Sequence, residues 1–351
     1  MKKSLVALSV LAAFAGVAHA QSSVTMYGVV DMSYQQENNN GKKINAIDSG
    51  EQSGSRLGFK GEENLGGNLK AIFQLEAGIL ADTGASQGGL LFGRQAFVGL
   101  AGDFGAVKLG RQYTPIFIAT DSVDVFDAGM TSGHAGQSTS TAGLLGMFGT
   151  PFRTNNTVNY STTNLNGFSA AAAYSAGEVA ANVSASRAIG LSGTYAAGPV
   201  LATVAYDKAN DLLGNSSKVL FVGGVYDFTV AKLHAAYGTT KTDAAYTLAS
   251  VITPANNKEL MVGTTVPFGK AAFLASYTRV TNNLVPTAGK SNQAAVGATY
   301  TLSKRTNLYT SYSRITNGAN ANVGANTNMG AFASAAGATD SLFNVGIRHS
   351  F

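Results

Sequence analysis

Leu69-Lys70-Ala71-Ile72-Phe73-Gln74-Leu75-Glu76 puts Leu69, Ala71, Phe73 and Leu75 on one parity and Lys70, Ile72, Gln74 and Glu76 on the other. A period of two is the mark of a β-strand with one apolar face. The same alternation runs through Arg56 to Lys60, where Leu57 and Phe59 interleave with Arg56, Gly58 and Lys60, and again at the end of the chain, where Phe343, Val345, Ile347 and Phe351 interleave with Asn344, Gly346, Arg348 and Ser350. A soluble β-sandwich alternates in this way too. Two features argue for a different architecture: the connections between strands are alternately tight and long, and the polar parity carries Arg and Lys.

The tight connections fall at 64–67, 102–105, 164–167, 197–199, 267–269 and 302–305. Most supply the Gly, Asn or Pro that turn geometry demands. The longer polar segments lie at 37–52, 80–91, 114–152, 241–257 and 317–340. Short turns on one side and long loops on the other is the arrangement of a transmembrane barrel. About 16 strands are expected from 331 residues after the leader, at roughly 21 residues per strand and connection.

Composition agrees with a barrel. Charged residues make up 12% of the chain, about half the usual share, and glycine is abundant at 42 residues. Mean hydropathy is +0.09. A soluble chain this poor in charge would disperse badly, yet nothing after Ala20 offers the roughly 18 consecutive apolar residues of a membrane helix. A closed sheet pairs every backbone group in lipid without such a run. There is no cysteine, which excludes disulfides, thiolate metal sites and thiol catalysis.

Residues 1–20 read as an address. Lys2 and Lys3 precede an apolar run from Leu5 to Val17, and Ala18-His19-Ala20 is a small-x-small cleavage site. The expected organisation is therefore a cleaved signal peptide, 1–20, and one barrel domain, 21–351. Removing the leader takes two of the basic residues that raise the pI, so the basic balance carries no argument for nucleic acid, and no dense Lys/Arg run supports it. Tyrosines such as Tyr27, Tyr174, Tyr226, Tyr277, Tyr300 and Tyr309 fall near inferred strand ends, where aromatic girdles are expected.

Four separated motifs carry a resemblance: Ser55-Arg56-Leu57-Gly58-Phe59-Lys60-Gly61-Glu62, Gly93-Arg94-Gln95-Ala96-Phe97-Val98-Gly99-Leu100, Leu109-Gly110-Arg111-Gln112-Tyr113 and Tyr300-Thr301-Leu302-Ser303-Lys304-Arg305-Thr306. Together they resemble the general diffusion porins of Gram-negative outer membranes, with the flavour of the β-proteobacterial branch. The terminal Phe351 resembles the assembly signal of such barrels. The resemblance implies an all-β, 16-stranded antiparallel transmembrane barrel, a homotrimer, and a long third loop, 114–152, folded into the lumen as a constriction. That segment lacks the Pro-Glu-Phe-Gly-Gly tip of enterobacterial members.

By the resemblance, the wall residues of the pore constriction are Arg56, Arg94 and Arg153. Arg56 also stands on its own alternation, because a charge on the lipid face costs about 2–4 kcal/mol at mid-bilayer. The opposing loop supplies Asp121, Asp124 and Asp127. Lys60, Lys70 and Lys108 share the inferred inner face and extend the positive wall. Arg111 has the parity of Leu109, so strict alternation turns it outward, to a strand end or a subunit contact. The expected function is passive diffusion of small ions and hydrophilic solutes with a preference for anions, in contact with outer-membrane lipid and lipopolysaccharide, without cofactor or metal. A substrate-specific anion channel is the alternative. An outer-membrane barrel enzyme is a weaker one, since His134, His234 and His349 sit in no metal or catalytic spacing.

Overall fold

The computed structural model describes residues 23–131, 152–248, 251–252, 255–284, 289–321 and 336–351. The leader 1–20 lies outside them, as do His134 and most of 114–152.

Sixteen antiparallel strands close on themselves. They are β1 (Ser23–Asn39), β2 in two segments (Lys42–Ser49 and Arg56–Gly66), β3 (Leu69–Leu80), β4 (Gln95–Gly102), β5 (Gly105–Tyr113), β6 (Arg153–Ser161), β7 (Phe168–Ser175) and β8 (Ala188–Ala197). The second half comprises β9 (Val200–Asn210), β10 (Ser216–Asp227), β11 (Lys232–Thr242), β12 (Asn256–Phe268), β13 (Ala271–Asn282), β14 (Lys290–Thr301), β15 (Thr306–Asn317) and β16 (Thr339–Ser350). Each strand pairs with its sequence neighbours. Val29 to Asn39 of β1 pairs with β16 to complete the ring. Phe351 extends the seam, its backbone exchanging hydrogen bonds of 3.1 Å with Gly28 in both directions.

The two parities separate by chemistry. One carries exposed apolar side chains such as Val204, Val222, Val262, Val296 and Tyr312; the other carries buried polar ones such as Thr203, Thr240, Glu259, Gln293 and Ser313. In a closed ring the apolar, exposed parity is the outer face. Aromatic rings pair at the tight-turn end. Phe168 lies 4.6 Å from Tyr195, and Tyr226 lies 4.5 Å from Phe228. Tyr309 departs from the girdle expectation. It is buried on the inner parity and donates to Asp31 at 2.5 Å.

The predicted turns are all present, and one more appears. Asp227 caps it by accepting from Thr229 N at 2.7 Å, and Thr229 takes φ 72°. The sequence 227–231 lacks Gly, Asn and Pro, so Asp227 is its one local turn signal. The expected polar loop at 37–52 is not a loop. β1 runs on to Asn39, and Asn40-Gly41 makes a tight hairpin with φ of 50° and 88°, the pairing that favours a two-residue turn. The real break lies within β2. Residues 50–55 leave the ladder between its two segments while both segments stay paired to β1. Asp31 holds this excursion: its backbone oxygen accepts from Gly50 N at 2.9 Å and its carboxylate from Ser53 N at 2.6 Å.

Candidate pore constriction

The constriction candidates come from three places on the wall. Arg56 opens the second segment of β2, Arg94 immediately precedes β4, and Arg153 opens β6. Glu76 of β3 and Tyr113 at the end of β5 bring them together. Arg94 Nε donates to Glu76 Oε1 at 2.7 Å, and Arg56 Nε lies 3.9 Å from Glu76 Oε2. Tyr113 Oη accepts from Arg94 at 2.9 Å and from Arg153 at 2.8 Å. The Arg153 guanidinium also stacks 4.4 Å from the centre of that ring. Tyr27 completes the set, donating to Glu76 Oε2 at 2.8 Å and accepting from Gln74 at 2.6 Å.

Their exposure differs. Arg94 is 2% exposed, an internal strut whose charge is matched by Glu76, whereas the Arg56 side chain keeps 21% of its surface. A cavity of about 440 Å³ is lined by Arg56, Lys60, Glu76, Tyr113 and Arg348. Arg348 was legible only as a polar-parity residue of the last strand; the ring closure that puts β16 beside β1 is what brings it to Arg56. Tyr113 and Glu76 likewise carried no signal as the hubs that gather the arginines.

The lysines divide. Lys60 Nζ sits over Tyr27 at 5.4 Å, within the same cavity. Lys108 sits over Phe97 at 5.4 Å, in a neighbouring cavity with Gln74, Gln112 and Ile118. Lys70 lies at the tight-turn end and is paired with Glu62 at 2.9 Å, both side chains half-exposed. Arg111 keeps the outer parity. It donates to Gly93 O at 2.7 Å and to Asn155 Oδ1 at 2.6 Å.

After β5 the chain turns into a short helix, α1 (Pro115–Asp121). Thr114 caps it by accepting from Phe117 N at 3.1 Å, and Pro115 takes the first position, where no N–H is needed. Ile116, Ala119, Val123, Val125, Phe126 and Met130 are buried against wall side chains of the polar parity, among them Phe221, Met261, Val280 and Tyr309. The segment is tied at both sides. His234 Nδ1 meets Val123 O at 2.9 Å, Gln293 donates to Thr131 O at 2.9 Å, and Met130 N donates to Glu51 O of the 50–55 excursion at 2.5 Å.

The three loop acids are not equivalent. Asp124 is buried and turns the backbone by accepting from Phe126 N and Ala128 N. Asp127 is exposed with φ 54°, next to Ala128 at 53° and near Met130 at 53°. Non-glycine residues in this region cost about 1–3 kcal/mol each and persist where surroundings hold them. Asp121 ends α1 with its Oδ1 buried and lacking a hydrogen-bond partner among the described residues. Burial, then the charges of Asp127 and Asp124, push its carboxyl up to about 7. Among the described residues no group of acids and histidines could hold a metal ion.

The sequence profile of the Gram-negative porins matches residues 7–320. The chain belongs to that family. Over their whole lengths, this porin is 32% identical to an outer membrane porin protein of Bordetella pertussis and 33% identical to outer membrane porin protein 32 of Delftia acidovorans. An anion-selective porin from Comamonas acidovorans superposes with a TM-score of 0.76 at 29% identity, covering 94% of this chain and all of that one. A Salmonella typhi porin shares the fold, with a TM-score of 0.70 at 20% identity. As a porin the chain is a passive channel of the Gram-negative outer membrane rather than an enzyme.

Proposed function

We propose that this porin is a homotrimeric, anion-preferring diffusion pore whose eyelet lies between the 114–152 loop and a basic wall of Arg56, Arg94, Arg153 and Arg348. The observation that carries the reading is the gathering of these guanidinium groups around a single acid, Glu76, and one phenol, Tyr113. Wall acids near it, Asp31, Asp48 and Glu51, are 0–4% exposed. Water in the lumen therefore meets basic groups first. Solute size is limited by the eyelet and charge preference by the fixed charges lining it. Export uses the 1–20 leader with processing after Ala20. Trimer contacts use the apolar outer faces of β2 and β3 around Leu57, Phe59, Phe73 and Leu75. The remaining outer face meets lipid and lipopolysaccharide.

Single-channel recording of the purified protein in planar bilayers tests the reading. Conductance is expected to follow bulk electrolyte, with no block by millimolar phosphate or organic anions. Block at low anion concentration would instead make it a substrate-specific channel.

A further inference from the structure

Between the eyelet cavity and the tight turns, the lumen holds a second cavity of about 310 Å³ on the wall of β3–β8. The two cavities share Gln74, Gln95 and Tyr113. The eyelet cavity contains an acid, Glu76, and several bases. In the second cavity no described acid lines the wall, and Lys108 is its one charge. Lys108 Nζ lies 5.4 Å from the centre of the Phe97 ring. Across from them stands Ile118 of α1, 54% exposed although Ile116 and Phe117 beside it are buried. Phe97 and Ile118 thus give the lumen a small apolar slot next to a lysine.

The carboxamides around this slot are not equally occupied. Gln74 donates to Tyr27 Oη at 2.6 Å. Gln112 follows a bulge in β5 and ties it down, donating to Lys108 O at 3.3 Å and to Thr157 O at 3.4 Å. That bracing fixes the stretch of wall that carries Lys108. Gln95 differs. It is 8% exposed, and its Oε1 is buried without a hydrogen-bond partner among the described residues. A buried acceptor left without a donor is costly. Gln95 and Phe97 share the inner face of β4, one pleat repeat or about 7 Å apart. Along the wall the order is therefore a cation over a ring, then an acceptor lacking its donor.

We propose that this slot is a weak subsite for hydroxylated aromatic carboxylates. The carboxylate meets Lys108, the ring lies between Phe97 and Ile118, and a hydroxyl on the far side of the ring donates to Gln95 Oε1. The inference rests on the water-filled lumen of the porin reading and names a class of solute that pauses there. A planar aromatic body suits the slot because rings stack or pack edge-on against Phe97. The charge suits it because Lys108 meets no acid in the cavity, so an incoming carboxylate displaces none. Affinity is low, since a cation in lumen water holds an anion weakly. Dissociation constants on the order of tens of millimolar leave the pore open at millimolar acid.

Saturation-transfer NMR on the purified porin in deuterated detergent tests this, with empty micelles subtracted and salt kept dilute. The probes are 4-hydroxybenzoate, benzoate and acetate. Wild type is expected to bind 4-hydroxybenzoate roughly fivefold more tightly than benzoate, and acetate at least about tenfold more weakly than either. K108Q should weaken both aromatic acids roughly fivefold. F97L, which keeps an apolar side chain but removes the ring, should do the same. Q95L should bring 4-hydroxybenzoate down to the level of benzoate and leave benzoate unchanged. Equal binding of acetate and the aromatic acids by wild type, or unaltered binding of the aromatic acids by K108Q, would overturn the proposal. So would a preference for 4-hydroxybenzoate that survives Q95L. Single-channel conductance in KCl without added acid is recorded on the same wild-type sample. A conducting wild type keeps the pore reading whatever the acids do, and a wild type without conductance fails that reading alone.

Discussion

Asp121 shows how position decides what a charge does. Its carboxyl sits near 7 because burial and the neighbouring Asp127 and Asp124 disfavour ionisation. Lowering the pH from 8 to 6 should therefore remove one negative charge from the proposed eyelet and raise the chloride-over-potassium permeability ratio. Asp121→Asn should show the raised ratio at both pH values. An identical pH response in wild type and variant would assign the titration elsewhere. The folded state holds this proton more tightly than the unfolded chain, so the group favours folding at acid pH, and that contribution is lost as pH rises through about 7. Sequence showed three aspartates of equal standing; the turn made by Asp124 and the burial of Asp121 exist only once 115–131 is packed. Arg56 was legible because its neighbours Leu57 and Phe59 state their face. Arg94 lies outside any alternating stretch, and its near-complete burial depends on Glu76, a residue of another strand.

At the scale of elements, sequence reading succeeded where a signal is local. Alternation marked the strands, and Gly, Asn and Pro marked five of the turns. It misplaced 37–52, where Asn40-Gly41 turns within polar strands, because a strand bonded through buried polar side chains such as Gln35, Glu37 and Asp48 looks like a loop. The consequence is functional. The excursion 50–55 meets the segment after α1, and Gly129 makes the approach possible: a Cβ there would lie 1.9 Å from Gln52 O. Gly129→Val should force the two apart, costing roughly 1–3 kcal/mol of local packing. Single-channel traces should then show larger, noisier openings than wild type. Traces indistinguishable from wild type would mean that the contact does not position the loop.

The whole barrel sorts charge across its wall, and closure is what makes the sorting work. The ring brings Arg348 of the last strand to Arg56 of the second, a neighbourhood invisible along the chain. It turns wall acids inward, and Asp31 there is held in a hydrogen-bonded network with Ser53 and Tyr309. What remains open to lumen water around the proposed eyelet is an excess of Arg and Lys. Guanidinium groups stay charged at any accessible pH, while screening shortens from about 8 Å at 0.15 M salt to about 3 Å at 1 M. The central claim is that this wall sets an anion preference in a passive pore. The zero-current potential across a KCl gradient tests it most directly, recorded in dilute and in molar salt for wild type, Arg56→Ala and Arg153→Ala. Wild type should prefer chloride in dilute KCl, the preference should fade in molar KCl, and each variant should shift toward potassium; a wild-type pore that prefers potassium in dilute KCl would contradict the account.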